Sequence, residues 1–136
     1  MRSLDTNIFL RYLTRDDDVK ANACYGLFQR VGRGEEEATT NELIVAELTY
    51  VLSSRSHYNL SHDDIRARLT PILNLRGLKL PGKRRCLRAL DLYAAYPALD
   101  FEDAFSIASL EDDGLAEIYS YDRDFDQVPT VRRVEP

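Results

Sequence analysis

Five acidic residues, spread over four places in the chain, are of a type that could do chemistry if the fold brought them together. They are Asp5, Glu47, Asp103, Asp122 and Asp124. Two carboxylates about 4 Å apart repel by roughly 4 kcal/mol at an effective dielectric of 20, so such a group needs protons or a cation. Mg²⁺ and Mn²⁺ prefer oxygen ligands, and Mg²⁺ binds one or two carboxylates together with water and substrate phosphate. The acids therefore predict metal-dependent hydrolysis of a phosphodiester bond.

Alternating strands and helices are predicted along the chain, and these elements must position the acids. Apolar periodicity, capping residues and Gly or Pro stops predict both kinds of element. The strands are 2–4, 38–40, 78–80, 117–121 and 131–134, and the helices are 6–13, 19–31, 41–54, 61–73, 83–96 and 100–111. Strands separated by helices indicate an α/β fold with a parallel sheet covered on both faces. A ligand is then expected beyond the carboxyl ends of the strands, where Asp5 and Asp122 lie.

Ordinary structural roles compete with the metal site at each position. Asp5 is of a residue type that caps a helix start, Asp100 and Asp103 fit a capping pair, and the acids of 122–124 fit a turn. Glu47 is predicted on an inward apolar stripe, where an arginine salt bridge or a wet stripe edge would explain it. That stripe consists of Leu43, Ile44, Leu48 and Val51. The metal site is preferred because the separate explanations require four independent coincidences.

The composition predicts one globular domain over residues 1–136. Hydrophobic residues make up 44% and charged residues 30% of the 136 residues, close to globular averages, and no apolar run approaches the roughly 20 residues of a membrane span. No basic and apolar leader precedes Leu4, and Cys24 and Cys86 are far apart. A disulfide framework is therefore not expected, and we predict a cytoplasmic protein without membrane attachment. Both cysteines are assigned structural roles.

The net charge of −5 argues against binding nucleic acid through bulk positive charge. One basic cluster stands out, and it consists of Lys83, Arg84, Arg85 and Arg88. It could contact RNA phosphates, but a basic run on a helix is more often a solvated face. Tyr50 and Tyr58 could contribute to a dimer face or a partner groove, whereas Phe28 is predicted to be core. No role as base or ligand is assigned to His57 or His62.

Nearly the whole chain resembles the PIN domain, in particular the VapC-like ribonuclease toxins of toxin–antitoxin pairs. The order and spacing of four motifs carry the resemblance, more than any one of them. They are Asp5-Thr6-Asn7 followed by Ile8-Phe9-Leu10, Val45-Ala46-Glu47-Leu48, Asp100-Phe101-Glu102-Asp103-Ala104 and Asp122-Arg123-Asp124-Phe125. Ser120 departs from the pattern, since family members usually carry Thr there.

The resemblance implies a three-layer αβα PIN-like fold with a central, mainly parallel sheet of four to five strands. It also implies a metal-dependent endoribonuclease, with Mg²⁺ or Mn²⁺ as the cofactor, RNA as the substrate, a small antitoxin as the partner and a homodimeric state. The implied metal ligands are Asp5, Glu47, Asp103 and Asp122, and Asp124 is an additional catalytic acid. Thr6 and Asn7 are expected to brace Asp5, and Ser120 is expected to support the site.

Three other classes of protein fit less well. A haloacid-dehalogenase-like phosphatase needs a second Asp two residues after its nucleophile, where this chain has Asn7. A response-regulator receiver needs a Lys after a later strand, and none follows residues 117–121. A non-catalytic PIN module that binds RNA or protein, or a housekeeping RNA-processing nuclease, is the main alternative. The complete acidic set favours catalysis over binding alone.

Overall fold

A computed structural model describes residues 1–136, and the chain divides into two compact units, residues 1–83 and 84–136. Each unit is described separately. The helices are α1 (Thr6–Thr14), α2 (Asp18–Gly32), α3 (Glu42–Ser53), α4 (His62–Leu73), α5 (Lys83–Ala95) and α6 (Phe101–Asp112). The strands are β1 (Arg2–Ser3), β2 (Ala38–Thr39), β3 (Leu78–Lys79), β4 (Glu117–Tyr119) and β5 (Arg132–Val134). None of the six helices has the length and apolar character that a membrane crossing requires.

In residues 1–83, the first three strands form one parallel sheet in the order β1-β2-β3. Arg2 pairs with Ala38, and Ala38 in turn pairs with Leu78. Helices separate the strands along the chain, as parallel pairing requires. Gly77 leads into β3, and a Cβ at this position would lie 2.3 Å from the carbonyl oxygen of Glu36. Only glycine therefore allows the chain to enter the sheet here without a backbone shift.

The helices of this unit begin where the sequence supplies a capping side chain. Asp17, Asn41 and Ser61 each accept a hydrogen bond from the backbone N–H three residues later. This geometry satisfies one of the unpaired N–H groups in the first turn of each helix. The core between α1 and α2 contains Phe9 and Phe28, whose ring centroids are 5.4 Å apart. The prediction that Phe28 is a core residue is confirmed, because its exposure is 4%.

In residues 84–136, β4 and β5 pair in parallel as a second sheet, with Glu117 opposite Arg132 and Tyr119 opposite Val134. The α/β class and the parallel pairing are confirmed. The five strands, however, are grouped as a sheet of three and a sheet of two. A 3-10 helix, Arg123–Gln127, follows β4, and the sequence patterns did not predict it.

The core of this second unit is built on α5 and α6. Tyr93 and Phe101 meet in an edge-to-face contact with centroids 6.4 Å apart, and Ile107 is fully buried. Cys86 is also buried, and so is Cys24 in the first unit, which agrees with structural roles for both. The prediction that residues 1–136 form a single domain stays a prediction.

Candidate active site

Asp5 is the N-cap residue of α1, directly after β1. Its Oδ1 accepts a hydrogen bond from the N–H of Thr6 at 2.7 Å. The other acidic or amide caps, such as Asp17 and Asn41, bond to the third helical residue instead. Asp5 is exposed, and it does cap α1. The cap uses only one of its carboxylate oxygens and the backbone N–H of the adjacent residue. This arrangement leaves Oδ2 available to another ligand.

Thr6 connects α1 to α3 through a hydrogen bond between side chains. Its Oγ1 donates to Oε2 of Glu47 at 2.6 Å, and Thr6 itself is only 4% exposed. The expectation that Thr6 braces Asp5 therefore holds only for its backbone N–H, because its hydroxyl orients Glu47. Asn7 is exposed and forms no side-chain hydrogen bond to Asp5. In residues 1–83, Thr6 thus contacts two of the predicted acids.

Glu47 does not lie on a buried face of α3, so the predicted inward position is wrong. The buried residues of this helix are Val45, Leu48, Thr49 and Leu52. Leu43, which was assigned to the stripe, is 76% exposed, and Glu47 is exposed as well. Thr49 is tolerated on the buried face because its hydroxyl donates to the carbonyl of Ala46. Glu47 forms no ion pair with an arginine, and its carboxylate accepts its hydrogen bond from the Thr6 hydroxyl.

Asp103 lies in the first turn of α6 among like charges. Its backbone N–H donates to Oδ1 of the N-cap residue Asp100 at 2.8 Å, and its side chain is half-buried. Burial, followed by the charge of Asp100, raises the pKa of the Asp103 carboxyl to about 6, and Asp122 and Glu102 add to this shift. The predicted capping pair is confirmed. It does not compensate the Asp103 carboxyl, because no cationic side chain is among its contacts.

Asp122 is the N-cap residue of the 3-10 helix and lies three residues after the end of β4. Its Oδ1 accepts from the N–H of Asp124 at 2.9 Å, and its own N–H donates to Oγ of Ser120 at 2.9 Å. Ser120 therefore fixes the backbone that carries Asp122, and a hydroxyl at this position is what the geometry needs. In residues 84–136, the fold thus gathers Asp103 and Asp122 closely enough for their charges to interact.

Two of the four side chains of the basic cluster at the start of α5 pair with acids. Arg85 pairs with Asp112 at 3.1 Å, and Arg88 pairs with Glu111 at 2.8 Å. These contacts fasten α5 to the end of α6. The Arg88 guanidinium lowers the pKa of Glu111, as expected of a hydrogen-bonded ion pair.

The carboxylates offer the oxygen donors that a hard divalent cation prefers. No three His, Cys, Asp or Glu side chains converge closely enough to form a ready metal site. The carboxyl of Asp103, however, is crowded by like charges, and a bound cation would relieve the repulsion. Because Mg²⁺ needs only one or two carboxylates besides water and phosphate, the donor chemistry fits such an ion.

A family model described as "PIN domain" matches residues 3–131. No curated protein is significantly similar to the chain in sequence. Among solved structures, the chain is similar to one described as VapBC2 from Rickettsia felis bound to a DNA fragment from their promoter. The two are 13% identical, the match covers 98% of this chain and 97% of that chain, and the TM-score is 0.36. This structural likeness is too weak to support a conclusion about fold or function.

Proposed function

The chain belongs to the PIN domain family, and from this membership we propose that it is a metal-dependent endoribonuclease that hydrolyses phosphodiester bonds of RNA. We further propose that it is the toxin of a toxin–antitoxin pair, that it acts in the cytoplasm as a homodimer, and that its cofactor is Mg²⁺ or Mn²⁺. The toxin assignment is supported by the four motifs that resemble VapC-like toxins. The nuclease assignment is supported by the family membership and by the acids, and it does not need the toxin assignment.

The observation that carries the nuclease proposal is the unneutralised Asp103 carboxyl. A half-buried carboxyl whose pKa is raised to about 6 by burial and by neighbouring carboxylates is costly for the fold. Ion pairs neutralise acids at the end of α6, such as Glu111 with Arg88, whereas the charged groups that act on Asp103 are all acidic. Strongly perturbed acids of this kind are typical of functional sites.

The proposal assigns roles to the chain's own carboxylates. Asp5 and Asp103 would hold the cation most directly, and Glu47, Asp122 and Asp124 would complete the set and orient the attacking water. When bound, the cation would lower the pKa of a water and stabilise charge on the leaving oxygen. Thr6 holds Glu47 in place through its hydroxyl, and Ser120 holds the backbone of Asp122. No side chain of the set acts as a nucleophile.

The first prediction concerns the metal and its ligands. The purified chain should cleave single-stranded RNA in Mg²⁺ or Mn²⁺ and should stop in excess EDTA, because the acids cannot hold a phosphate unaided. Asp103→Asn and Glu47→Gln should each lower the cleavage rate by roughly 100-fold or more. The binding of Mn²⁺ to the metal-free chain, measured by calorimetry, should weaken in the same two variants.

Two conservative variants are matched controls. Glu42→Gln changes an exposed acid in the first turn of α3, the helix of Glu47, and Asp113→Asn changes an exposed acid at the end of α6. Both should keep wild-type cleavage and Mn²⁺ binding. Full activity in the presence of EDTA would contradict the metal mechanism, and equal losses in variants and controls would contradict the assignment of the acids.

A non-catalytic PIN module is the main alternative, and a housekeeping RNA-processing nuclease is another. The non-catalytic module predicts RNA or protein binding without cleavage, even with Mn²⁺ bound. The housekeeping nuclease predicts cleavage without an effect on growth. The cleavage assay separates the first alternative from the proposal, and a growth assay separates the second.

A further inference from the structure

Two large exposed aromatic rings lie next in the chain to the acids of the second unit, one on the last residue of β4 and one two residues beyond it. Tyr119 is 75% exposed and Tyr121 is 70% exposed. Both rings lie in solvent, and the proposed chemistry assigns them no role. Neither tyrosine hydroxyl takes part in a hydrogen bond, and neither ring contacts another aromatic ring, so no packing contact of these kinds explains them.

The exposure pattern of β4 continues past its last residue to Tyr121 and indicates that the two rings share a face. From residue 117 to residue 121 the side chains alternate between exposed and half-buried, and the exposed positions are Glu117, Tyr119 and Tyr121. The pairing with β5 continues to Ser120, whose N–H donates to the carbonyl of Val134 at 3.0 Å. Because successive side chains in a strand point to opposite faces, the two rings are neighbours about 7 Å apart along the strand.

One guanidinium that is close to the rings in the chain forms no ion pair and is available to an anion. Four arginines of this unit form ion pairs with acids. They are Arg85 and Arg88 in α5, and Arg132 and Arg133 in β5. Arg123 is exposed, lies two residues after Tyr121 and has no acidic partner. An unpaired cation next to exposed rings is complementary to a nucleic acid strand, which presents bases and phosphates in alternation.

The position of the rings relative to the acids favours RNA over a protein partner. Tyr121 directly precedes Asp122, and Ser120, between the two rings, points the opposite way and holds the N–H of Asp122. A strand whose bases stack on the tyrosines would therefore run past the carboxylates of this unit. Binding of a protein partner would not require the aromatic rings, the cation and the acids to follow one another in this order.

We propose that Tyr119 and Tyr121 form a stacking platform for two bases of single-stranded RNA, and that Arg123 binds the adjoining phosphate. This inference rests on the proposed function, since it identifies residues that position the RNA for the same acids. Base stacking on aromatic rings tolerates any base, so the platform contributes affinity for unpaired strands more than sequence preference. Duplex RNA, whose bases are not available for stacking, should gain nothing from it.

The test is the binding of a short fluorescent single-stranded RNA to the purified full chain in EDTA, where hydrolysis is blocked. Tyr119→Ala and Tyr121→Ala should each weaken binding by roughly 5- to 150-fold, whereas Tyr119→Phe and Tyr121→Phe should restore it. Leu115→Ala removes a 57% exposed apolar side chain of the same unit without a ring, and it should bind as the wild type does. Thermal unfolding should be similar in all five variants.

A second RNA distinguishes the loss of base stacking from a general loss of electrostatic attraction to RNA. With an abasic strand of the same length, the alanine variants and the wild type should bind equally, while Arg123→Met should still bind more weakly than wild type. If the wild-type chain cleaves RNA and the alanine variants bind the base-containing strand as tightly as wild type, the platform is wrong and the proposed nuclease stands. If the wild type neither cleaves nor binds RNA, the proposed function fails, and the platform fails with it.

Discussion

At the residue scale, the half-buried Asp103 carboxyl links stability to function. Its pKa is raised from the usual 3.8 to about 6, first by burial and then by the charge of Asp100. A raised pKa means that the folded state binds the proton more tightly than the unfolded state does. The stabilisation from this proton is therefore complete below about pH 4 and is lost as the pH rises through about 6. Above that pH, the ionised carboxyl destabilises the metal-free fold.

Asp103→Asn should consequently stabilise the metal-free chain at pH 8. Since a neutral amide removes the buried charge, we expect a gain of about 1–2 kcal/mol, reduced from the full shift because water screens this half-buried site. At pH 4 the gain should disappear, because the wild-type carboxyl is then protonated. Urea unfolding in EDTA at both pH values measures the difference.

The control for this prediction is Asp113→Asn at the far end of the same helix, where the side chain is 59% exposed. Its effect on the free energy of unfolding should be within about 0.5 kcal/mol at pH 8. A gain for Asp103→Asn that is equal at pH 4 and pH 8 would contradict the raised pKa. Unfolding of the variant at both pH values would instead assign Asp103 a mainly structural role.

At the element scale, the 3-10 helix that carries Asp124 is held by a single arginine of β5. The Arg133 side chain is 12% exposed and binds both carboxylate oxygens of Asp126, at 3.0 and 3.3 Å. It also donates to the carbonyl of Ser120 at 3.2 Å. Arg133 thereby fastens both ends of the segment that presents Asp122.

Arg133→Met should destabilise the chain by about 1–3 kcal/mol, since it removes charge-assisted hydrogen bonds and leaves Asp126 without its partner. It should also lower kcat for RNA cleavage, because the segment around Asp122 loosens. Arg132→Met changes the neighbouring residue of the strand, whose side chain is 72% exposed, and should alter stability by about 0.5 kcal/mol or less. Chemical unfolding and cleavage kinetics of the two variants provide the comparison, and equal losses in both would contradict the role of Arg133.

The sequence predicted helices more accurately than the arrangement of strands. Helix starts were within one or two residues because caps such as Asn41 and Ser61 act locally. The division of five strands into two sheets depends on pairing between distant residues, which no local pattern reports. The exposure of Glu47 was missed because the buried face of α3 includes Thr49, a polar residue that an apolar pattern does not count.

The candidate site was likewise predictable from the sequence only where local features determine it. The acids could be chosen from the sequence because their residue type and their places after strands or caps are local features. Their partners could not be chosen, since the Thr6 hydroxyl reaches Glu47 across 41 sequence positions. Ser120 is an intermediate case, because its contact with the N–H of Asp122 spans only two residues and is typical of a turn.

At the scale of the whole molecule, a chain with a net charge of −5 is proposed to act on a polyanion. Bulk attraction cannot supply the affinity, and the ionic contacts of arginines such as Arg85 and Arg88 are already used within the fold. Affinity then comes from local contacts with the strand, and a cation at the acids would add to it. RNA affinity that rises with Mn²⁺ concentration would be the expected consequence.

The last prediction distinguishes a toxin from a housekeeping nuclease. Expression of the chain in a bacterial host should arrest growth, whereas the Asp5→Asn variant should be harmless, because it lacks a proposed metal ligand but keeps an amide that can still cap α1. A protein inhibitor that inserts Arg or Lys among these acids would displace the cation, so its binding should compete with Mn²⁺. Co-expression with the adjacent small reading frame, co-purification and cleavage assays with and without that partner measure both effects. Normal growth with the wild-type chain and no binding by the neighbouring product would contradict the toxin assignment and leave the nuclease proposal in place, since the acids support hydrolysis independently of their regulation.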